Sequence, residues 1–584
     1  MVKITPTICS FCNNGCGMFL RSDGKEAIGV LPIINHPVSE GRLCHRGWNR
    51  YQNLRSLNRL SFPLWREDSC LKEVTWPQAL EKTKEKISEL ISRHGPQSLG
   101  VIGSSWLTNE DNYRIALFCR NILETSNLDG SYRFSGAPAL AAFRELFSGP
   151  FGSLGSIPAL GESRTILVIG KESHRDFSAV GSRLIKAFLH GSAIILADPL
   201  CVHKEHFFKY LLPYPVQSLP ALFRDKKSLP PDVIEHLFQP GLALIFIADQ
   251  VDSASSLVSL LQSLSQGSPT KNDLPLMLPL SRSPNLKGAW DMGIRPGDGG
   301  LTLQEMLAEE SEVKGLIIFG DDLLNHLPSS STLGKLRSLE FVLVADRFFT
   351  ETARMAHCVL PIPLLAETEG TMTNSEGRVQ KLRPFLDPQK ESRSVAEILH
   401  DLSRHLGKDF PVFSGPEVRN EISKNISPYE KVASESDLEG VGGILLPASK
   451  AQLHPEVSEP QEQTTEENKY RLLVPNSLYA WNRNQMILES PVLRIEYPGE
   501  RPAVRMSPLD ARELKIRMGE KVKIRSDRGE ALAPVEVDEN IPSKVLMLPS
   551  HLIEVVESLA GKGERDATTR TLFFPNLFVT VEKI

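Results

Sequence analysis

Cys9, Cys12 and Cys16 share one short loop at C-x2-C-x3-C spacing, and Cys44 follows after 27 intervening residues within GRLCHRGW. Half of the eight cysteines in the chain therefore fall in its first 44 positions. In a reducing compartment such crowding serves metal ligation rather than disulfide formation. Four thiolates can hold a cubane iron-sulfur cluster, one sulfur to each iron, and Gly15, Gly17 and Gly41 let the backbone wrap closely around it. The competing reading is a structural zinc ion with four cysteine ligands. Zinc sites favour two C-x2-C knuckles, whereas this chain has one three-cysteine loop and one distant thiol, so the cluster is the better expectation. Cys70, Cys119, Cys201 and Cys358 are scattered through mixed or apolar surroundings and read as packing residues.

The 584 residues have room for three or four packed units around a large core. A small disulfide-stapled scaffold is thereby excluded. With 41% apolar residues, 23% charged residues and a net charge of −5, the composition is that of an ordinary soluble protein, and no general affinity for nucleic acid is expected. MVKITPTICSFC at the start carries neither a basic-flanked apolar run nor paired arginines, and no stretch reaches the roughly eighteen apolar residues of a membrane helix. These features lead us to expect a cytoplasmic protein with no membrane span.

The segment to about residue 60 is turn-rich. Beyond it, WPQALEKTKEKISELISR repeats apolar residues at helical spacing from Trp76 to Arg93, and SLGVIG reads as a short buried strand closed by glycine. ESRTILVIGKES, AVGSRLIKAFLHG and SAIILADP then read as strand, helix and strand of one crossover unit. LALIFIAD, VKGLIIFGDD and LEFVLVADRF supply further strands. Several of these end in Gly or Asp, at the sheet edge where open α/β folds place their ligands, so a nucleotide-like cofactor is expected. Residues 441–470 include a stretch rich in Glu, Gln, Pro and Ser that reads as a linker. Short alternating runs such as GEKVKIRS follow it and predict a β-rich C-terminal domain.

The cysteine spacing resembles the N-terminal iron-sulfur segment of the molybdopterin oxidoreductases. It looks in particular like the catalytic subunit of formate dehydrogenases and the related large iron-sulfur subunit of respiratory complex I. Four further segments carry the resemblance: SSWLTNEDNYRIALFCRNILETSNLDGSYR, SPNLKGAWDMG, FTETARMAHCVLPIPLLAETEGTMTNSEGRVQ and SPLDARELKIRMGEKVKIRSDRG. It implies an α/β protein with a [4Fe-4S] domain over 1–60 and two interleaved central α/β domains over 61–440, the inner one about 141–340. A linker over 441–470 and a dinucleotide-binding β-barrel over 471–584 complete it. The cofactors implied are the [4Fe-4S] cluster and a bis-molybdopterin guanine dinucleotide carrying molybdenum or tungsten. The resemblance assigns Gly170, Ser173, Asp198, Asn285, Gly320, Thr371, Thr373 and Asn374 to the pterin. Each also has a plain structural reading. Glycines and aspartates end many strands that bind nothing, and Thr371, Thr373 and Asn374 could simply satisfy turn backbone.

The chain also departs from the active enzymes it resembles. Ser135 stands where the metal-ligating cysteine or selenocysteine is expected, and Gly136 where a proton-handling histidine is expected. A serine oxygen is a harder ligand than sulfur, and glycine cannot move a proton. Ser281 occupies the place of a substrate-binding arginine, with Arg282 beside it. Arg46 replaces the lysine that relays between cluster and pterin, keeping the charge in a different shape. GDDLLNH, ADPLC and YAWNRNQMILESPVLR have drifted from the cofactor-binding patterns. Two readings follow. One is an oxidoreductase subunit with Ser135 at the metal or with that position left open. The other is a non-catalytic electron-transfer scaffold without molybdenum, resembling the complex I subunit. Either implies a flavoprotein or ferredoxin-like partner, since no second cluster motif is present.

Overall fold

The computed structural model describes residues 2–23, 26–170, 176–201, 206–267, 274–411, 414–449, 469–474, 485–497, 502–549, 552–561, 563–574 and 577–584. It divides into two compact units. The first comprises Met1–Arg133, Arg282–Pro447 and Arg483–Tyr497, and the second Phe134–Ser281, Ala448–Asn482 and Pro498–Ile584.

The first unit opens with an antiparallel sheet of Lys3–Ile8, Gly17–Ser22 and Ala27–Pro32. The three-cysteine loop is the connection between the first two of these strands, closed by a hydrogen bond from Cys9 N to Cys16 O of 2.8 Å. Its main sheet has seven strands. In order they are Cys70–Glu73, Leu64–Glu67, Cys358–Pro361, Phe341–Asp346, Gly315–Phe319, Leu99–Ile102 and Leu128–Asp129. The last five are mutually parallel. Gly315–Phe319 and Phe341–Asp346 are buried along their whole length, which is why they read as unbroken apolar runs rather than alternating ones. The chain passes from Leu99–Ile102 outward to Leu128–Asp129, then returns on the other side at Gly315–Phe319. That reversal makes a topological switch point, and the crevice at its carboxyl edge is where such sheets bind ligands.

The predicted first helix spans Trp76–His94. Thr75 and Gln78 form a reciprocal capping box at its start, and Trp76, Ala79, Leu80, Thr83, Ile87 and Leu90 make its buried stripe. A smaller sheet joins Gly370–Thr373 to Arg378–Leu382 and Ile444–Leu445. The expected linker thus begins with an apolar pair that adds a strand to this hairpin. Most of it, residues 450–468, lies outside the described residues.

The second unit contains an all-parallel five-stranded sheet and a barrel. The sheet order is Tyr210–Leu212, Ala193–Ala197, Thr165–Ile169, Leu242–Ile247 and Leu276–Leu280, with its switch point between the third and fourth strands. The barrel is closed and six-stranded: Tyr470–Leu473, Val545–Met547, Val504–Met506, Glu530–Val537, Lys521–Arg525 and Leu577–Lys583. Alternating positions such as Val522, Ile524, Ala533, Val535, Val579 and Val581 fill its core. The chain is therefore an α/β protein that ends in a β-barrel.

Candidate redox centre and cofactor crevice

Local geometry brings the four clustered cysteines together. Cys9, Cys12 and Cys16 are buried in the hairpin loop, and Cys44 is partly exposed at the start of the short helix His45–Trp48. Burial pushes the Cys9 thiol up to about 12, reinforced by Cys44 and Cys12. The same burial raises Cys16 well above the usual thiol range, with Cys12, Cys9 and Cys44 adding to it. Burial also acts upward on Cys44, but the Arg46 charge and hydrogen bonds from Gly47 and Arg46 outweigh it and leave that thiol below its ordinary value. Cys9 and Cys16 thus feel the neighbouring thiols. Even so, among the described residues no three His, Cys, Asp or Glu side chains close around a single ion. A tetrahedral zinc with bonds of about 2.3 Å needs its sulfurs almost in contact. A cubane instead lets each cysteine meet a different iron.

Two arginines attend this loop. Arg46 is 1% exposed, and its guanidinium hydrogen-bonds to the Cys44 sulfur. Arg50 donates from Nε to Ser10 Oγ at 3.3 Å and from Nη1 to Asn53 Oδ1 at 2.6 Å, and it lies 6.0 Å from the centre of the Phe11 ring. Burial lowers Arg50 to about 10, against the opposing pull of Cys9.

Arg50 also forms one wall of a small cavity of about 50 Å³ at the switch point of the seven-stranded sheet. Trp106 follows one central strand into this cavity, Gly320, Asp321 and Asp322 follow the next, and Asp346 and Arg347 end the third. A side chain at Gly320, where φ is +61°, would sit 3.1 Å from Arg347 Nη1 and 3.2 Å from Leu107 Cδ2. The glycine therefore keeps the crevice open. Asp321 accepts from Ser131 N and Oγ at 3.0 and 2.7 Å, and Asp322 accepts from Thr352 N and Oγ1 at 3.1 and 2.6 Å. Burial raises all three carboxyls, carrying Asp346 to about 7. Of this crevice the sequence reading singled out only Gly320. The aspartates in GDD and ADR were a visible signal, since both stand at strand ends.

Asn285, Thr371, Thr373 and Asn374 lie in the first unit and are fully buried. Asn109 Nδ2 donates to Thr371 Oγ1 and Thr373 Oγ1, each at 3.1 Å. Thr371 donates to Glu110 from N at 2.7 Å and from Oγ1 at 3.0 Å, while Asn285 Oδ1 accepts from Thr373 N at 2.8 Å. Asn374 reaches the cysteine loop, donating to Asn14 O at 3.0 Å. Sequence reasoning missed Asn109 and Glu110 because a buried polar pair in a helix is signalled only by its distant partners.

In the second unit Gly170, with φ of +91°, closes the strand Thr165–Ile169 at the switch point, and Asp198 follows Ala193–Ala197. Asp198 Oδ1 accepts from Leu200 N at 2.7 Å. Ser173 lies outside the described residues. Ser135 ends the turn Ser131–Ser135, and its carbonyl accepts from Ser281 Oγ at 3.2 Å. Gly136 follows with φ of +144°, a conformation open to glycine and strained for histidine.

Three buried thiols and the partly exposed Cys44, sharing an arginine wall with a switch-point crevice, define an iron-sulfur protein built on a cofactor-binding α/β fold. The family model for molybdopterin oxidoreductase matches residues 59–213 and 236–405. Those for the molybdopterin oxidoreductase Fe4S4 domain and the molydopterin dinucleotide binding domain match 2–56 and 470–570. The chain belongs to the molybdopterin oxidoreductase family, and it carries the domains for a [4Fe-4S] cluster and for the pterin dinucleotide. It is 26% identical to the F420-dependent formate dehydrogenase subunit alpha of Methanocaldococcus jannaschii, over 100% of this chain and 99% of that one. It is 25% identical to the F420-dependent formate dehydrogenase 2 subunit alpha of Methanococcus maripaludis, with the same coverage. The solved structure of acetylene hydratase from Pelobacter acetylenicus superposes with a TM-score of 0.62 at 15% identity, covering 99% of this chain and all of that one. That last likeness concerns the fold alone, and a hydratase on this fold shows that architecture does not fix the reaction. No helix among the described residues is long and apolar enough to cross a membrane.

Proposed function

We propose that this chain is the redox subunit of a formate dehydrogenase-like molybdopterin oxidoreductase. In this reading it passes single electrons through one [4Fe-4S] cluster held by Cys9, Cys12, Cys16 and Cys44. The observation that carries the reading is Arg50, which touches the cysteine loop and lines the switch-point cavity, so a ligand there and the cluster would share one wall. When bound, a bis-molybdopterin guanine dinucleotide with molybdenum or tungsten would supply two-electron chemistry. This chain's own residues would do the rest. Arg46 and Arg50 offset the negative charge of the thiolates, and Arg46 is the candidate relay toward the pterin. The carboxyls of Asp321, Asp322 and Asp346 suit a base edge rich in N–H donors. Gly170, Asp198, Gly320, Asn285, Thr371, Thr373 and Asn374 remain the pterin candidates from the sequence. Ser135 is the candidate metal ligand, and Gly136 leaves proton handling to other groups.

The relatives are each named as a subunit alpha, which supports a multi-subunit assembly; a cytoplasmic location and a flavoprotein or ferredoxin-like partner to exchange electrons complete the reading. Ser135, Gly136 and Ser281 together favour a second reading, a complex I-like electron-transfer scaffold that has lost the molybdenum cofactor. Elemental analysis of anaerobically purified protein, with acid release of guanine nucleotide, separates the two. Molybdenum or tungsten with nucleotide, and turnover abolished in Ser135→Ala, supports the first. Iron alone supports the second.

A further inference from the structure

The signature hairpin of Gly370–Thr373 and Arg378–Leu382 meets the cysteine loop at three consecutive carbonyls. Ser375 N donates to Asn13 O at 2.7 Å, Asn374 Nδ2 to Asn14 O at 3.0 Å, and Gln380 Nε2 to Gly15 O at 2.9 Å. All these residues except glycine are 5% exposed or less.

The chemistry of Asn374 leaves it no alternative orientation. Its Oδ1 accepts from Glu376 N at 3.1 Å and from Arg378 N at 2.8 Å, so the amide NH2 must face Asn14 O. The contact is also close. A Cβ built on Gly15, where φ is +67°, would lie 2.1 Å from Gln380 Oε1, so the loop backbone lies directly against this glutamine. Gln380 Nε2 in addition lies 3.2 Å from His36 Nε2, and that ring packs on Gly17 beside Cys16.

A carbonyl oxygen carries negative partial charge. Three of them in succession, bounded by Cys12 and Cys16, would oppose the arrival of an electron if they could turn toward the cluster. Hydrogen bonding, charge and exposure around the sulfurs are what set the potential of such clusters. We infer that the hairpin holds the cluster's reduction potential up by fixing these three carbonyls, with Asn374 and Gln380 as positioning residues for the cluster. The inference rests on the cluster assignment made under the proposed function.

The test is a mediated redox titration of the anaerobically purified full chain, followed by electron paramagnetic resonance, with iron and sulfide counted per chain. Asn374→Ser keeps a neutral acceptor for the turn and is too short to donate to Asn14 O. Its midpoint should fall by the equivalent of about a tenfold change in the reduction equilibrium, about 59 mV for one electron. Gln380→Met should shift it the same way by less. Ser375→Ala should not shift it, because Ser375 donates through its backbone and its hydroxyl has no hydrogen-bond partner among the described residues. Full-iron Asn374→Ser and Gln380→Met proteins titrating at the parent potential would overturn the inference, as would an equal shift in Ser375→Ala. If Asn374→Ser fails to take up iron, the Gln380→Met titration decides alone. A parent protein without iron would instead refute the cluster assignment.

Discussion

Asp346→Asn tests whether the crevice is stabilised or burdened by its own acids. The carboxyl ends a fully buried strand, and burial moves it from an ordinary 3.8 to about 7, with Asp322 and Asp321 adding to the rise against Arg347. An acid whose folded value lies above its unfolded one binds more protons in the folded state. Its stabilising contribution is therefore complete below pH 3.8 and is lost as pH rises toward 7. At 1.36 kcal/mol per unit, the cost at pH 8 is about 4 kcal/mol, and at pH 5 about 2 kcal/mol. Asn keeps the acceptor for Arg347 N, a contact of 2.6 Å, and removes the titration. In cofactor-free protein, the variant should gain about 2 to 3 kcal/mol on the parent between pH 5 and pH 8. Hydrogen exchange of the Phe341–Asp346 amides, corrected for intrinsic rates, reports the opening free energy of that strand. A constant difference between variant and parent across this range would refute the reasoning.

Arg59 and Glu367 form a bidentate pair at 3.0 and 2.8 Å with side chains 4% and 0% exposed. Arg59→Met should destabilise the first unit by about 3–5 kcal/mol in urea unfolding, with much of it recovered in the double variant Arg59→Met, Glu367→Met. Gly15→Ala places a methyl 2.1 Å from Gln380 Oε1 at a φ of +67°. Iron per chain should fall sharply while the circular dichroism of the α/β core is unchanged.

The parts of the fold legible in the sequence were those written in local pattern. Unbroken apolar strands, the Trp76 helix with its cap, and the cysteine spacing all depend on neighbours within a few positions. Other features join distant segments and leave no local trace. The Asn109 bridge to Thr371 and Thr373 spans 262 and 264 positions, and the Asn374 contact to Asn14 spans 360. Asn374 illustrates the limit well. From sequence it reads either as a pterin contact or as a turn residue, and its oxygen does serve the turn. Its nitrogen is directed at a loop that only the folded chain brings near.

This division bears on how the signature segment is to be understood. Thr371, Thr373 and Asn285 are occupied with one another, with Asn109 and with Glu110, and Asn374 has both ends of its amide engaged. A pterin contact through these side chains would have to displace buried hydrogen bonds, leaving partners unsatisfied at about 1–3 kcal/mol each. The backbone N–H groups of Thr371, Thr373, Asn374 and Ser375 are engaged as well. Loss of the molybdenum cofactor would therefore leave this segment's sequence constrained by the network and by the cysteine loop. Retention of TMTNSEGRVQ beside the altered Ser135 is accordingly compatible with both readings of function, and the metal analysis carries the decision between them.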